Sequence, residues 1–124
     1  MPENPISPNY RDLQVWQRGI ALVKQIYLLT ETFPTHEKYG LSSQIQRAAV
    51  SVPSNIAEGH ARGSTPEFRR FIQISLGSLA EIDTQLEIAI QLTYIKQDNA
   101  SPVIQLVIEL RKMLFGLINS LPTN

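Results

Sequence analysis

The chain has 124 residues, 11 basic and 11 acidic side chains and no cysteine. That length suits one domain that buries its core without staples, and the lack of thiols excludes a disulfide framework, a thiolate metal site and a cysteine nucleophile. A net charge of zero supplies no general field for nucleic acid, and no apolar run approaches the roughly 20 residues that span a bilayer. The opening Met-Pro-Glu-Asn-Pro-Ile-Ser-Pro stretch lacks the basic region and apolar core of a secretory signal. A cytoplasmic protein with no membrane contact is expected, with a flexible Pro-rich lead-in over residues 1–11 and one domain over 12–121.

The first helix is predicted from Asp12, a suitable N-cap, through Trp16, Ile20, Val23, Ile26, Tyr27 and Leu29 toward Phe33, where Pro34 ends it. The second runs from Leu41 to His60 on the apolar spacing Leu41, Ile45, Ala48, Ala49, Val52 and Ile56. Pro53 lies inside it, removes the bond to the Ala49 carbonyl and predicts a kink. Gly59 and Gly63 bracket a turn, and Ser64-Thr-Pro-Glu67 supplies a capping box that opens a third helix over Thr65–Thr93. Its main stripe is Phe68, Ile72, Leu79, Ile82, Leu86, Ala89 and Ile90. Phe71, Ile74, Ile88 and Leu92 form a second apolar strip, wider than one core requires, and mark a candidate oligomer interface. Ser101 and Pro102 are read as cap and first turn of a fourth helix, whose buried face runs from Val103 to Leu121. Short links between four long amphipathic helices predict an all-α, antiparallel up-down four-helix bundle.

Polar residues Gln44, Arg47, Ser51, Asn55, Glu58 and Arg62 recur every three or four positions on another face of the second helix. Gln44, Arg47, Ser51, Asn55 and Glu58 suit a polar network, since an amide and a carboxylate in mid-stripe close hydrogen bonds well. Arg47, Arg62, Arg69 and Arg70 are the candidate nucleic-acid contacts, because guanidinium forks match phosphate geometry. Little else points to chemistry. His36 and His60 have no second histidine at ligand spacing, Ser51, Ser54, Ser75 and Ser78 have no evident base, and the glycines match no phosphate-binding fingerprint. No catalytic residue, metal ligand or cofactor is implied. Trp16 reads as a core or interface aromatic and Tyr39 as a residue packed over a turn.

The polar stripe with its segment Ser51-Val-Pro-Ser-Asn-Ile-Ala-Glu-Gly59, the upstream Asp12-Leu-Gln-Val-Trp-Gln17 and the downstream Gly77-Ser-Leu-Ala-Glu81 together resemble the 23S rRNA intervening-sequence proteins. The resemblance covers the chain except its ends. It implies a left-handed four-helix bundle assembled as a homopentameric ring, without a defined activity. A more distant likeness is to the accessory protein of diversity-generating retroelements, a basic pentamer that binds a reverse transcriptase and nucleic acid. The zero net charge here departs from that branch. Two functions from different classes follow: a non-enzymatic oligomeric scaffold for a protein partner, and an RNA- or DNA-binding ring whose arginine patches are multiplied by symmetry. An enzyme lacks a constellation to carry it.

Overall fold

The structure, a computed structural model, describes residues 7–122. Four helices account for most of them: α1 (Gln14–Thr30), α2 (Leu41–Ala61), α3 (Thr65–Gln91) and α4 (Gln97–Ser120). No strand occurs among the described residues. Each helix packs on its neighbours in sequence, and α4 closes back on α1. Contacts between ends show how they alternate. The segment before α1 meets the end of α2 through Ser7 and His60, the start of α2 meets the end of α3 through Glu37 and Tyr94, and the start of α3 meets the end of α4 through Arg69 and Leu121. That is the arrangement of an up-down bundle. Its core runs the full length, with Leu22, Ile26, Ile45, Ile56, Phe68, Ile72, Ile82, Leu86 and Leu110 almost wholly removed from water.

The lead-in expected over residues 1–11 is structured where it is described, and residues 1–6 lie outside the described residues. Tyr10–Asp12 form a single 3₁₀ turn capped by Asn9, whose side chain accepts from the Arg11 N–H. Tyr10 packs edge-on against Trp16 at 5.5 Å, and Arg11 lies over the Trp16 ring at 5.1 Å. The Ser7 carbonyl accepts from His60 Nε2 at 2.6 Å. His60 is therefore a latch for this segment and Asp12 is not a helix cap; Leu13 takes the N-cap position of α1.

Helix α1 is rotated from the expected register. Val15, Gly19, Leu22, Ile26 and Thr30 are its buried residues, whereas Ile20 and Tyr27 are exposed. The cause is Gly19: a Cβ there would stand 3.1 Å from Pro53 Cβ, so the bare glycine faces α2 and admits the proline ring. Helical structure runs unbroken through Pro53, which is buried in this contact. Helix α3 starts as predicted, with Ser64 Oγ accepting from Glu67 N–H at 3.3 Å. The reciprocal half of the box is absent, because the Glu67 carboxylate takes Arg70 instead.

Helix α4 begins earlier than expected. Lys96 is its N-cap, and Ser101 and Pro102 are interior, with Ser101 Oγ donating back to the Gln97 carbonyl at 3.0 Å. Pro102 and Asp98 are both exposed, so water can satisfy the carbonyl that the proline leaves without a donor. The chain reverses instead at Thr93, whose φ of 61° is left-handed. Thr93 N–H bonds the Ile90 carbonyl at 3.0 Å and Tyr94 N–H bonds the Ala89 carbonyl at 2.9 Å, the two bonds of a Schellman motif. Tyr94 then packs against Phe33 at 5.7 Å and donates to Glu37 Oε2 at 2.8 Å. The other oxygen of Glu37 accepts from Leu41 N–H at 3.0 Å and caps α2, for which Gly40 has no side chain to offer.

A β-branched residue at positive φ costs about 1–2 kcal/mol against a right-handed conformation. Thr93→Gly should therefore raise the stability by about 1 kcal/mol after the extra freedom of glycine in the unfolded chain is charged, measured by urea unfolding; a loss of stability would show the left-handed turn to be relaxed for threonine.

The Leu41 N–H, then the Tyr94 hydroxyl and the charge on His36, hold the Glu37 carboxyl below its ordinary value of 4.5, against the opposing effect of desolvation. A lowered folded value means that this contribution is full above about pH 4.5 and disappears as pH falls through the depressed value. Tyr94 is raised above 10.0, mainly by its bond to Glu37, so its contribution is full below that pH and is lost as pH rises through the elevated value. Tyr94→Phe should move the acid unfolding midpoint to higher pH, read by circular dichroism, because one of the bonds that keeps Glu37 ionised is gone.

Candidate functional site: a polar groove between α2 and α3

The two most intimate neighbours are α2 and α3, and small residues let them approach. A Cβ on Gly59 would lie 2.5 Å from Phe71 Cβ and 3.2 Å from Phe68 Cδ1. Gly59 is thus a helical packing residue and not the turn glycine expected; Gly63, at φ 79°, makes the turn. Further along, serine hydroxyls replace apolar side chains. Ser75, fully buried, donates to the Val52 carbonyl across the interface at 2.9 Å. The hydroxyls of Ser51 and Ser78 meet directly, and their other bonds run to the carbonyls of Ala48 (2.7 Å) and Ile74 (3.2 Å).

Above these serines lies an open groove of about 440 Å³. Gln44, Arg47, Ser51 and Asn55 line one wall from α2, and Ile74, Ser78, Glu81 and Gln85 line the other from α3. Four of the five expected network residues therefore share this site. Asn55 is held by a 2.7 Å bond to the Ser51 carbonyl. Glu58 lies outside this groove; it lines an adjoining one together with Arg47, Ser51 and Asn55, and pairs with Arg62 at 2.9 Å. Gln85 was not singled out in the sequence, yet its Oε1 is buried with no hydrogen-bond partner among the described residues. The signal that would have found it is heptad spacing, since Ile74, Ser78, Glu81, Gln85, Ile88 and Leu92 alternate steps of four and three along one line of α3.

The four candidate phosphate-binding arginines do not form one cluster. Arg62 and Arg70 each lie 5.2 Å from the Phe71 ring, one bonded to Glu58 and the other to Glu67 at 3.4 Å. Arg69 turns away to the Leu121 and Pro122 carbonyls at 3.5 and 3.1 Å, closing the end of α4. Arg47 stands apart in the groove, and among the described residues its guanidinium makes no ion pair. Phe71 also departs from the expected apolar strip: it is only 6% exposed, covered by its own chain's arginines, while Ile74, Ile88 and Leu92 are 41%, 42% and 50% exposed. Among the described residues no three His, Cys, Asp or Glu side chains converge in a way that could hold a metal ion. Among the described residues no helix is long and apolar enough to cross a membrane.

The molecule is thus a four-helix bundle with a hydroxyl- and amide-lined seam on one side. Its sequence belongs to the 23S rRNA-intervening sequence protein family, whose family model matches residues 11–116. It is similar to a crystal structure from Bacteroides thetaiotaomicron VPI-5482, described as a protein with unknown function from the S23 ribosomal protein family, with a TM-score of 0.76 and 23% identity over 86% of this chain and 99% of that one. At that identity the likeness shows a shared fold. A comparison with curated proteins gives no match.

Overpacking a tight contact costs about 1–3 kcal/mol. Gly59→Ala should destabilise by that amount in chemical denaturation and should displace Phe71 from between Arg62 and Arg70, visible as a shifted Phe71 ring resonance. An unperturbed ring would show that α2 and α3 separate as rigid bodies.

Proposed function

We propose that the protein is a non-enzymatic, cytoplasmic scaffold that works as a closed homo-oligomer, and offers repeated copies of its outer surface to a protein partner. The observation that carries this reading is the line of Ile74, Ile88 and Leu92, large apolar side chains left substantially exposed on one face of α3 beside the polar groove. A helix face with that spacing suits another helix. Self-association also gives the chain a way to multiply weak surface contacts. The count of five subunits, like a left-handed bundle, is supported by the family resemblance alone. Groups capable of chemistry are engaged structurally: the serine hydroxyls on backbone carbonyls, His60 on Ser7, Glu58 and Glu67 on arginines.

The second reading, an RNA- or DNA-binding ring, is favoured by two features. Arg47 has no carboxylate partner among the described residues, and the pairs of Arg62 and Arg70 are exposed single bonds of the kind worth about 0–1 kcal/mol, which a phosphate could displace. Arg69 is the weakest member of that set, because two carbonyls occupy it.

Light scattering at micromolar concentration should report several times the monomer mass of 14.0 kDa, and Ile88→Asp should lower it by placing a charge in the contact. A monomeric unaltered protein would overturn the scaffold reading. Titration with single-stranded, duplex and structured nucleic acid at several salt concentrations separates the second reading: salt-dependent binding that weakens, with a shallower salt slope, when Arg47, Arg62 and Arg70 become Ala would establish it, and no binding at low salt would remove it.

A further inference from the structure

A second unpartnered face lies on the other flank of α3. There Ile108, Arg111 and Phe115 of α4 border a groove of about 540 Å³ floored by Gly77 and Ala80. Ile108 and Phe115 are 41% and 46% exposed, and with Ile104 and Ile118 they repeat the steps of four and three seen on α3. Gly77 and Gly116 would each accept a Cβ with nothing within 4 Å. Neither glycine is explained by this chain's own packing, although each costs its helix about 1 kcal/mol relative to Ala. Arg111 stacks over Phe115 at 5.7 Å and makes no ion pair among the described residues.

We infer that the α4 face centred on Arg111 of one copy seats in the α2–α3 groove of the next, with Arg111 supplying the donor that the Glu81 carboxylate lacks. The inference rests on the self-association proposed above and names the element that covers the α3 line. Three observations meet in it. The first is chemical: among the described residues neither Arg111 and Asp83 of one face nor Glu81 and Arg47 of the other make an ion pair, so the two faces offer complementary charges to each other. The second is register. Counted down from the α3–α4 turn at about 1.5 Å per residue, Phe115 and Ile74 both lie about 26 Å away, Arg111 and Glu81 about 21 and 15 Å, and Ile104 and Gln85 about 10 and 9 Å. Copies related by an axis along the bundle therefore place Phe115 beside Ile74 and the Arg111 guanidinium within side-chain reach of the Glu81 carboxylate. The third is direction: at about 100° per residue, the two lines on α3 lie about a third of a turn apart, so the donor and acceptor faces of one copy are not opposed and successive copies curve into a ring.

The absence of cysteine allows a clean test. Ile74→Cys and Phe115→Cys proteins, mixed and oxidised, should form a disulfide between copies in the mixture well beyond that in either variant alone. Glu81→Arg and Arg111→Glu should each weaken self-association about tenfold or more by light scattering, with native circular dichroism, and the double variant should recover it. An unaltered protein that is monomeric overturns this inference together with the scaffold reading. An oligomer that dissociates with Ile88→Asp but ignores both charge reversals, and forms no mixed disulfide, overturns only the assignment of α4 as the partner and leaves assembly through α3 standing.

Discussion

The close contact of α2 with α3 is the constraint on which the rest of the molecule depends. Gly59 brings the backbone of α2 within a methyl group's reach of Phe71. Further along the same seam, the small side chains of Ser51, Ser75 and Ser78 stand between the two helices. Buried hydroxyls cost free energy unless bonded. Here Ser51 and Ser78 bond each other and Ser75 bonds the Val52 carbonyl of the facing helix, which locks the axial register of α2 against α3 as an all-apolar seam would not. The groove above is a consequence: two helices held this close by small residues leave no side chain tall enough to roof it, so Gln44, Arg47, Glu81 and Gln85 stand around an open trough.

At the opposite end of the bundle, a single side chain joins three helices. The left-handed Thr93 aims Tyr94 back across the bundle, Tyr94 donates to Glu37, and Glu37 caps α2. Gly40 is needed for the same reason, since a Cβ there would stand 2.5 Å from Glu37 Oε1. The local strain of Thr93 is thus offset by a tertiary contact and a cap that form only if the turn is made. Loss of any one member loosens the others, because the Tyr94 hydroxyl holds the same carboxylate that caps α2.

Some of this was legible in the sequence and some was not, for reasons that differ residue by residue. The Ser64-Thr-Pro-Glu67 start of α3 is visible because capping depends on local chemistry alone. The start of α4 is not, because a proline reads as a first-turn residue wherever a serine precedes it, and only solvent exposure of Asp98 and Pro102 makes the interior position tolerable. The turn at Thr93 carries no glycine to announce it. The hydrophobic pattern of α1 points about one face away from its buried side because Gly19 is silent in such a pattern, yet it is the residue that turns inward to meet Pro53. The polar stripe of α2 was clear, whereas Gln85 was hidden among ordinary polar residues until three-dimensional burial showed its oxygen without a donor.

Neutral total charge and a charged surface are reconciled by where each charge is used. Arg62 and Arg70 spend theirs on Phe71 and on carboxylates one helical turn away, Arg18 spends its charge on Glu109 between α1 and α4, and Arg69 serves carbonyls at the end of α4. Pairs of that exposed kind add little stability, but they remove the field that a clustered set of arginines would project. Among the arginines outside such pairs, Arg47 and Arg111 each lie on an unpartnered face, beside an acidic residue of α3 on the same face: Glu81 for one and Asp83 for the other. Each face therefore carries both signs, a pattern that gives a surface orientation and register toward a matching protein face while giving little net pull on a polyanion. Charge placement thus supports the same proposal as the exposed isoleucines, a contact between these surfaces and a protein surface of the same kind.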